Sequence, residues 1–121
     1  MKKITWLLAL VIGFGSVSMA QAKKELQKVT INTPTVQCDM CKKKIETFLA
    51  KEDGVESVVV DYKRKQTKVS FHSSQTNIEN IKTAIANVGY DADDVTANEE
   101  SYNKLPKCCK KTEDGGGMKK N

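Results

Sequence analysis

The hydrophobic spacing of this chain changes period several times, and the order of those changes leaves few folds open. Residues 28–33, Lys-Val-Thr-Ile-Asn-Thr, are β-branched at period two and are closed by Pro34, which predicts a first strand. From Cys41 the apolar positions Ile45, Phe48 and Leu49 recur at helical spacing opposite a lysine-rich face, predicting a helix that ends near Lys51, before the turn Glu52-Asp53-Gly54. A valine run over 55–61, a charged turn over 62–65 and an alternating stretch over 66–71 with Val69 and Phe71 read as a hairpin. Thr76 and Glu79 have the spacing of a capping box, and a second helix follows with Ile78, Ile81, Ile85 and Val88 on one face. Gly89 stands where a left-handed C-terminal cap belongs, and after the turn at 90–94 a weak strand is expected over 95–97. The order βαββαβ predicts an α+β, ferredoxin-like sandwich: an antiparallel four-stranded sheet with two helices on one face. The isoleucine, valine and phenylalanine positions are then core, enough for a small domain that needs no staple.

The first 22 residues read as a cleavable signal peptide. Lys2 and Lys3 precede an apolar run over 4–14, too short to span a membrane, and residues 16–22 are rich in small side chains. Cleavage after Ala20 or after Ala22 satisfies the small-x-small rule, and no cysteine lies near either site to take a lipid anchor. The expectation is export to the periplasm, with a domain over 23–97 and a flexible cysteine-containing tail over 98–121. The whole chain carries +5, but removing Lys2 and Lys3 leaves about +3, too mild a charge to argue for nucleic acid.

Between the first strand and the first helix lies Thr35-Val36-Gln37-Cys38-Asp39-Met40-Cys41, followed by Lys42, Lys43 and Lys44. Residues i and i+3 share a helix side, so Cys38 at the entrance and Cys41 in the first turn can aim both sulfurs at one ion. The thiolate is the form that binds, and both a helix N-terminus and the three ammonium groups favour it. Soft sulfur selects Cu(I), Zn(II) and similar ions over Mg or Ca. Two other readings stay open at this spacing: a CxxC in an exported protein also serves as a structural or redox disulfide, and half of a tetrahedral zinc site needs two more ligands. Asp39 disfavours ionisation of the flanking thiols and offers an oxygen to a harder ion, unless it simply faces solvent.

The CxxC placed between strand one and helix one, the βαββαβ order and the pair Gly89-Tyr90 after helix two resemble the heavy-metal-associated domain over residues 28–97. That family includes copper chaperones, metal-binding domains of P-type metal ATPases and the periplasmic mercuric-ion-binding protein. The resemblance implies Cys38 and Cys41 as ligands of Cu(I) first, Hg(II) next, and Zn(II) or Cd(II) as further ions. It implies that the protein is not an enzyme, and that a metal-transporting ATPase, a transporter or an efflux component receives the ion. Val36 replaces the family's usual packing methionine and Thr35 its usual glycine. Tyr90 falls where the family places an aromatic residue or lysine beside the metal loop; a tyrosine at the core edge is the competing account.

In the tail, Lys107-Cys108-Cys109-Lys110-Lys111 follows Pro106, and Gly115-Gly116-Gly117 suggests a frayed end. Neighbouring cysteines chelate one ion poorly but can each lend a sulfur elsewhere. Three roles for Cys108 and Cys109 follow: a thiolate arm folding over Cys38 and Cys41, a disulfide with one of them in the empty state, or an independent scavenger. His72 reads as a surface histidine, and Asp91, Asp93 and Asp94 as a solvated turn.

A surface dithiolate leaves its ion open to an incoming thiolate, so transfer runs through a shared three-coordinate intermediate. Lys42, Lys43 and Lys44 then form a positive rim that orients docking on an acidic partner. The protein is expected as a monomer or as a metal-bridged dimer. The competing class is a thiol–disulfide oxidoreductase using the same CxxC, which has the compartment but lacks the thioredoxin-type Gly-Pro setting and order of elements. A third is a module stapled by two fixed disulfides.

Overall fold

The structure is a computed structural model, and it describes residues 25–117; the signal-peptide reading and the last four residues lie outside them. Strand β1 (Leu26–Asn32), helix α1 (Asp39–Leu49), strands β2 (Val55–Asp61) and β3 (Gln66–His72), and helix α2 (Ile78–Val88) follow in the expected order. The sheet is antiparallel with β3 at its centre, in the order β1-β3-β2. Its register places Ile31, Thr67 and Val60 side by side across the three strands, and Val29, Val69 and Val58 in the next row on the same face. Because side chains alternate along a strand, Thr67, Val69 and Phe71 of β3 all point to that face and are buried under the helices. Helix α1 contributes Cys41, Ile45 and Leu49 at i, i+4 and i+8, and α2 contributes Ile81, Ala84, Ile85 and Val88.

Two local expectations change. Phe48, placed in the core by its spacing, is 41% exposed, because the buried stripe of α1 runs one position aside through Ile45 and Leu49. The cap of α2 is Asn77, whose side chain accepts from the N–H of Asn80, so the Thr76–Glu79 box does not form. Gly89 does cap α2 in the left-handed region, at φ 116°.

The four-stranded sheet is corrected to three strands among the described residues. The chain over 91–97 curls into a tight loop held by an Ala92–Val95 bridge, by Asp91 accepting from the N–H of Ala97, and by a positive φ of 52° at Asp93. Only Asp93 reaches the free edge of β1: its N–H donates to the carbonyl of Asn32 and its carboxylate accepts from the N–H of Asn32. The three aspartates read as a solvated turn thus do structural work, Asp94 by pairing with Lys82 of α2 at 2.9 Å. His72 conforms to its surface reading, with Nε2 3.0 Å from Glu56 on the neighbouring strand.

Beyond the loop, residues expected to fray are folded back onto the domain. Asn98 donates its N–H to the carbonyl of Ala86 and caps a short helix, α3 (Glu99–Asn103). Leu105, 4% exposed, packs at Gly89, where a Cβ would stand 3.1 Å from the carbonyl of Ser101 and 3.2 Å from the Leu105 side chain. A single 3₁₀ turn, Lys107–Cys109, and a second, Thr112–Asp114, complete the arm. Tyr102 binds them together, its hydroxyl donating to Asp114 at 2.5 Å and accepting from the N–H of Lys111 at 2.8 Å. Among the described residues no helix is long and apolar enough to cross a membrane.

Candidate metal centre

The loop between β1 and α1 is pinned from three sides before it delivers its first cysteine. The buried hydroxyls of Thr33 and Thr67 bond at 3.0 Å, the Thr35 hydroxyl accepts from the N–H of Asp91 at 3.1 Å, and the Lys65 ammonium donates to the carbonyl of Val36. Val36 itself is fully buried, in the packing role expected of it. Cys38 is the N-cap of α1 with an extended backbone, and its carbonyl accepts the helix's opening bond from the N–H of Lys42. Cys41 follows on the buried face of the first turn, and the two sulfurs stand 3.6 Å apart.

The arm supplies the other half. Cys108 Sγ lies 3.8 Å from Cys38 Sγ, and Cys109 Sγ lies 2.7 Å from Cys41 Sγ. The sulfurs of Cys38, Cys108 and Cys109 all fall within 4.8 Å of one another, and all four cysteines are free thiols. The tail pair is thus folded against Cys38 and Cys41 and does not stand apart from them. It also changes the exposure of the centre: Cys41 and Cys109 are fully buried and Cys38 is 5% exposed, so the surface dithiolate expected from the sequence is a covered one. Cys108 is the most open of the four, and Met40 adds a thioether 3.7 Å from its sulfur. Met40 is the residue the sequence reading passed over, although it stands between the two motif cysteines and is a soft donor.

Electrostatics differ sharply among the sulfurs. Burial works against ionising Cys38, yet the N–H groups of Cys41 and Met40 and the thiols of Cys41 and Cys108 outweigh it and hold its pKa below the usual thiol range. Burial pushes Cys109 well up, with the shared contact to Cys41 adding to the effect, and raises Cys108 as well. The set is thus asymmetric: Cys38 ionises more easily than an ordinary thiol, and Cys108 and Cys109 less easily.

Tyr90 is fully buried against this cluster. Its hydroxyl has no hydrogen-bond partner and lies beside the sulfurs of Cys109 and Cys41, and its own ionisation is pushed far up, chiefly by burial. A buried hydroxyl without a well-formed partner costs roughly 1–3 kcal/mol, and beside sulfur a thiolate would accept from it better than a thiol does.

The three lysines expected at a docking rim part company. The Lys42 ammonium is held by Glu46 at 2.8 Å and by the carbonyl of Val60 at 3.1 Å, while Glu46 also accepts from the N–H of Val60. It clamps α1 to β2 instead of facing a partner. Lys43 and Lys44 are exposed, Lys43 pairing loosely with Asp39 at 3.3 Å on the solvent side, which leaves the Asp39 carboxylate in that surface pair. Both line a groove of about 630 Å³ together with Met40, Phe48, Val88 and Lys104.

Comparison with known proteins gives this geometry a context. Residues 30–91 match the family described as the heavy-metal-associated domain. The copper chaperone CopZ of Staphylococcus haemolyticus is 38% identical over 61 residues, covering 50% of this chain and 90% of that one. A copper-exporting P-type ATPase of Staphylococcus aureus is 31% identical over 67 residues, where this chain spans only 8% of the longer protein. Among solved structures, oxidized MerP from Ralstonia metallidurans aligns with a TM-score of 0.53 at 28% identity, covering 55% of this chain and 93% of that one. A CopZ metallochaperone aligns equally well, with a TM-score of 0.53 at 30% identity over 55% of this chain and 98% of its own. The matched span stops at residue 91, so Cys38, Cys41 and Tyr90 lie inside it while Cys108 and Cys109 lie beyond it.

Proposed function

The chain belongs to the heavy-metal-associated domain family, and from that premise we propose that it is an exported metallochaperone. It takes one soft ion, Cu(I) or Hg(II), through the Cys38 and Cys41 thiolates and passes it on by ligand exchange. The observation that carries this reading is the pair of sulfurs 3.6 Å apart at the start of a pinned helix, inside the matched span. Thiolate sulfur prefers such ions, and Zn(II) or Cd(II) fit the same donors. The protein carries and does not catalyse: nothing in the exchange makes or breaks a bond other than metal–sulfur.

Transfer proceeds by an incoming thiolate adding to the bound ion while one resident sulfur leaves. Cys108 is the entry side, being the most open sulfur, and Lys43 and Lys44, which share a groove with its neighbour Met40, set the orientation of an acidic partner through the field they project. The copper-exporting ATPases similar to this chain make a metal-transporting ATPase the natural recipient, with a transporter or efflux component in the same role. Export to the periplasm rests on residues 1–22, whose basic, apolar and small-residue zones have signal-peptide order.

The test is an anaerobic titration of the reduced protein lacking residues 1–22 with Cu(I), Hg(II) and Zn(II) against competing chelators. Tight binding of about one ion per chain, lost in Cys38→Ser/Cys41→Ser, supports the carrier. Disulfide reductase activity without competitive metal binding would place the chain with the oxidoreductases instead.

A further inference from the structure

We propose that Cys108 and Cys109 are ligands of the same centre as Cys38 and Cys41, so that this protein holds its ion in a closed site of three to four sulfurs. The proposal rests on the carrier reading and adds a second ligand pair from outside the family's matched span. The ligand class it selects is a thiophilic cation of closed d shell that accepts three or four thiolates, with Cd(II) as the defining probe.

Distances support such a site over a two-coordinate one. With a metal–sulfur bond of about 2.3 Å, sulfurs at the corners of a tetrahedron stand about 3.8 Å apart, and those of a linear dithiolate about 4.6 Å. Cys38–Cys41 at 3.6 Å and Cys38–Cys108 at 3.8 Å are near the tetrahedral edge. Cys41 and Cys109, at 2.7 Å, need to part by about 1 Å, a shift within reach of side-chain rotation in a 3₁₀ turn. The Tyr90 hydroxyl adds a second sign. Fully buried and without a well-formed hydrogen bond, it lies beside Cys41 and Cys109, where metal-bound thiolates would be stronger acceptors than the thiols.

Charge and anchoring fit as well. Gathering thiolates is eased by cations nearby, and each cysteine pair has lysines close in sequence: Lys43 and Lys44 after Cys41, and Lys107, Lys110 and Lys111 around Cys108 and Cys109. The arm is attached by specific contacts, namely Leu105 at Gly89 and the Asn98–Ala86 bond, and is held in shape by the Tyr102–Asp114 tie within it. It therefore brings its sulfurs as a preformed second clamp, whose local concentration at the centre is high. Retention follows, and release to a partner begins with the arm lifting.

The experiment loads the reduced chain without residues 1–22 with one equivalent of Cd(II) and counts sulfurs by X-ray absorption and by the cadmium NMR shift. Alongside it, Cys108→Ser/Cys109→Ser and Cys38→Ser/Cys41→Ser are titrated against a competing chelator. Three to four sulfurs in the unsubstituted protein, falling to two in Cys108→Ser/Cys109→Ser with an affinity loss of about a hundredfold or more, sustain the proposal. Two sulfurs in the unsubstituted protein overturn it while leaving the carrier reading intact; this measurement needs no variant to fold. Undiminished binding in Cys38→Ser/Cys41→Ser overturns the proposal and the carrier reading together, since the tail pair would then act alone.

Discussion

Two cysteine pairs reach one centre by opposite means. Cys38 and Cys41 sit on a loop and helix that the sheet and core hold in place: Cys41 shares its face with Ile45 and Leu49, and the loop before it is tied to Thr67, Lys65 and Asp91. Cys108 and Cys109 sit on a single 3₁₀ turn whose grip on the domain runs through Leu105, Tyr102 and a few backbone bonds. One pair is built into a strand–helix junction of the fold, and the other rides on a short arm that reaches the same core through Leu105 and Cys109. A carrier needs both properties, affinity in transit and a way to let go, and here they are assigned to different stretches of chain.

The largest effect that sharpens this contrast comes from removing the sulfurs themselves. Cys38→Ser/Cys41→Ser should abolish competitive binding of Cu(I), Hg(II) or Cd(II), because the remaining pair comes from adjacent residues and lacks a helix to converge them. Equal losses from either double substitution, measured in the same chelator competition, would erase the distinction between a primary clamp and an arm.

Next in size is the arm's anchor. Leu105→Ala removes a side chain that is 4% exposed and packs at Gly89, a truncation worth roughly 2–5 kcal/mol where the site cannot collapse. If the arm is a separable unit, hydrogen exchange should quicken over 98–117 while β3 and α2 keep their protection, and the off-rate of a bound ion should rise at least tenfold. Uniform loss of protection across the sheet would show the arm to be part of the core instead.

The same contrast explains what the sequence disclosed. The rigid half was legible: period-two and helical spacing located β1, β2, β3, α1 and α2, and the i, i+3 cysteines placed the centre at the β1–α1 junction. The missing fourth strand was not, because its loss depends on Asp91 and Asp93 bonding to backbone groups that only the fold brings near. The arm was unreadable for a related reason. Its polar, glycine-rich composition signals fraying, and the single apolar anchor Leu105 acquires meaning only from the space above Gly89. Lys42 looked like its neighbours Lys43 and Lys44 until the position of Glu46 one turn on and the β2 edge turned it inward.

That last distinction predicts a smaller, separable pair of effects. Lys42→Met leaves Glu46 holding the N–H of Val60 without its cation and should cost about 1 kcal/mol in thermal or urea unfolding, with metal affinity unchanged. Lys43→Gln/Lys44→Gln should leave stability alone and slow transfer to an acidic partner several-fold at low salt, the difference fading as ionic strength rises. A salt-insensitive slowing would mean that the groove is recognised by shape and not by charge.

The smallest effect lies away from the metal, where Lys82 joins α2 to the loop that replaced the fourth strand. Hydrogen bonds to Asp94 and then Glu79 raise the Lys82 pKa above its usual value, and the Lys82 ammonium holds the Asp94 carboxyl below its own. A depressed carboxyl stabilises the fold above its unfolded pKa, near 3.8, and that contribution is lost as pH falls through the lower folded value. A raised amine does the reverse: its contribution is complete below 10.5 and is lost as pH climbs through the higher folded value. Stability of the metal-free domain should therefore be flat in this pair's contribution from about pH 5 to 9 and decline at both ends. Asp94→Asn should flatten the acid limb, read by urea unfolding across pH, without touching metal affinity. The pair lies on the rigid half, so an Asp94→Asn variant that loosened ion retention would mean the loop over 91–97 carries strain from the domain into the arm that begins at Asn98.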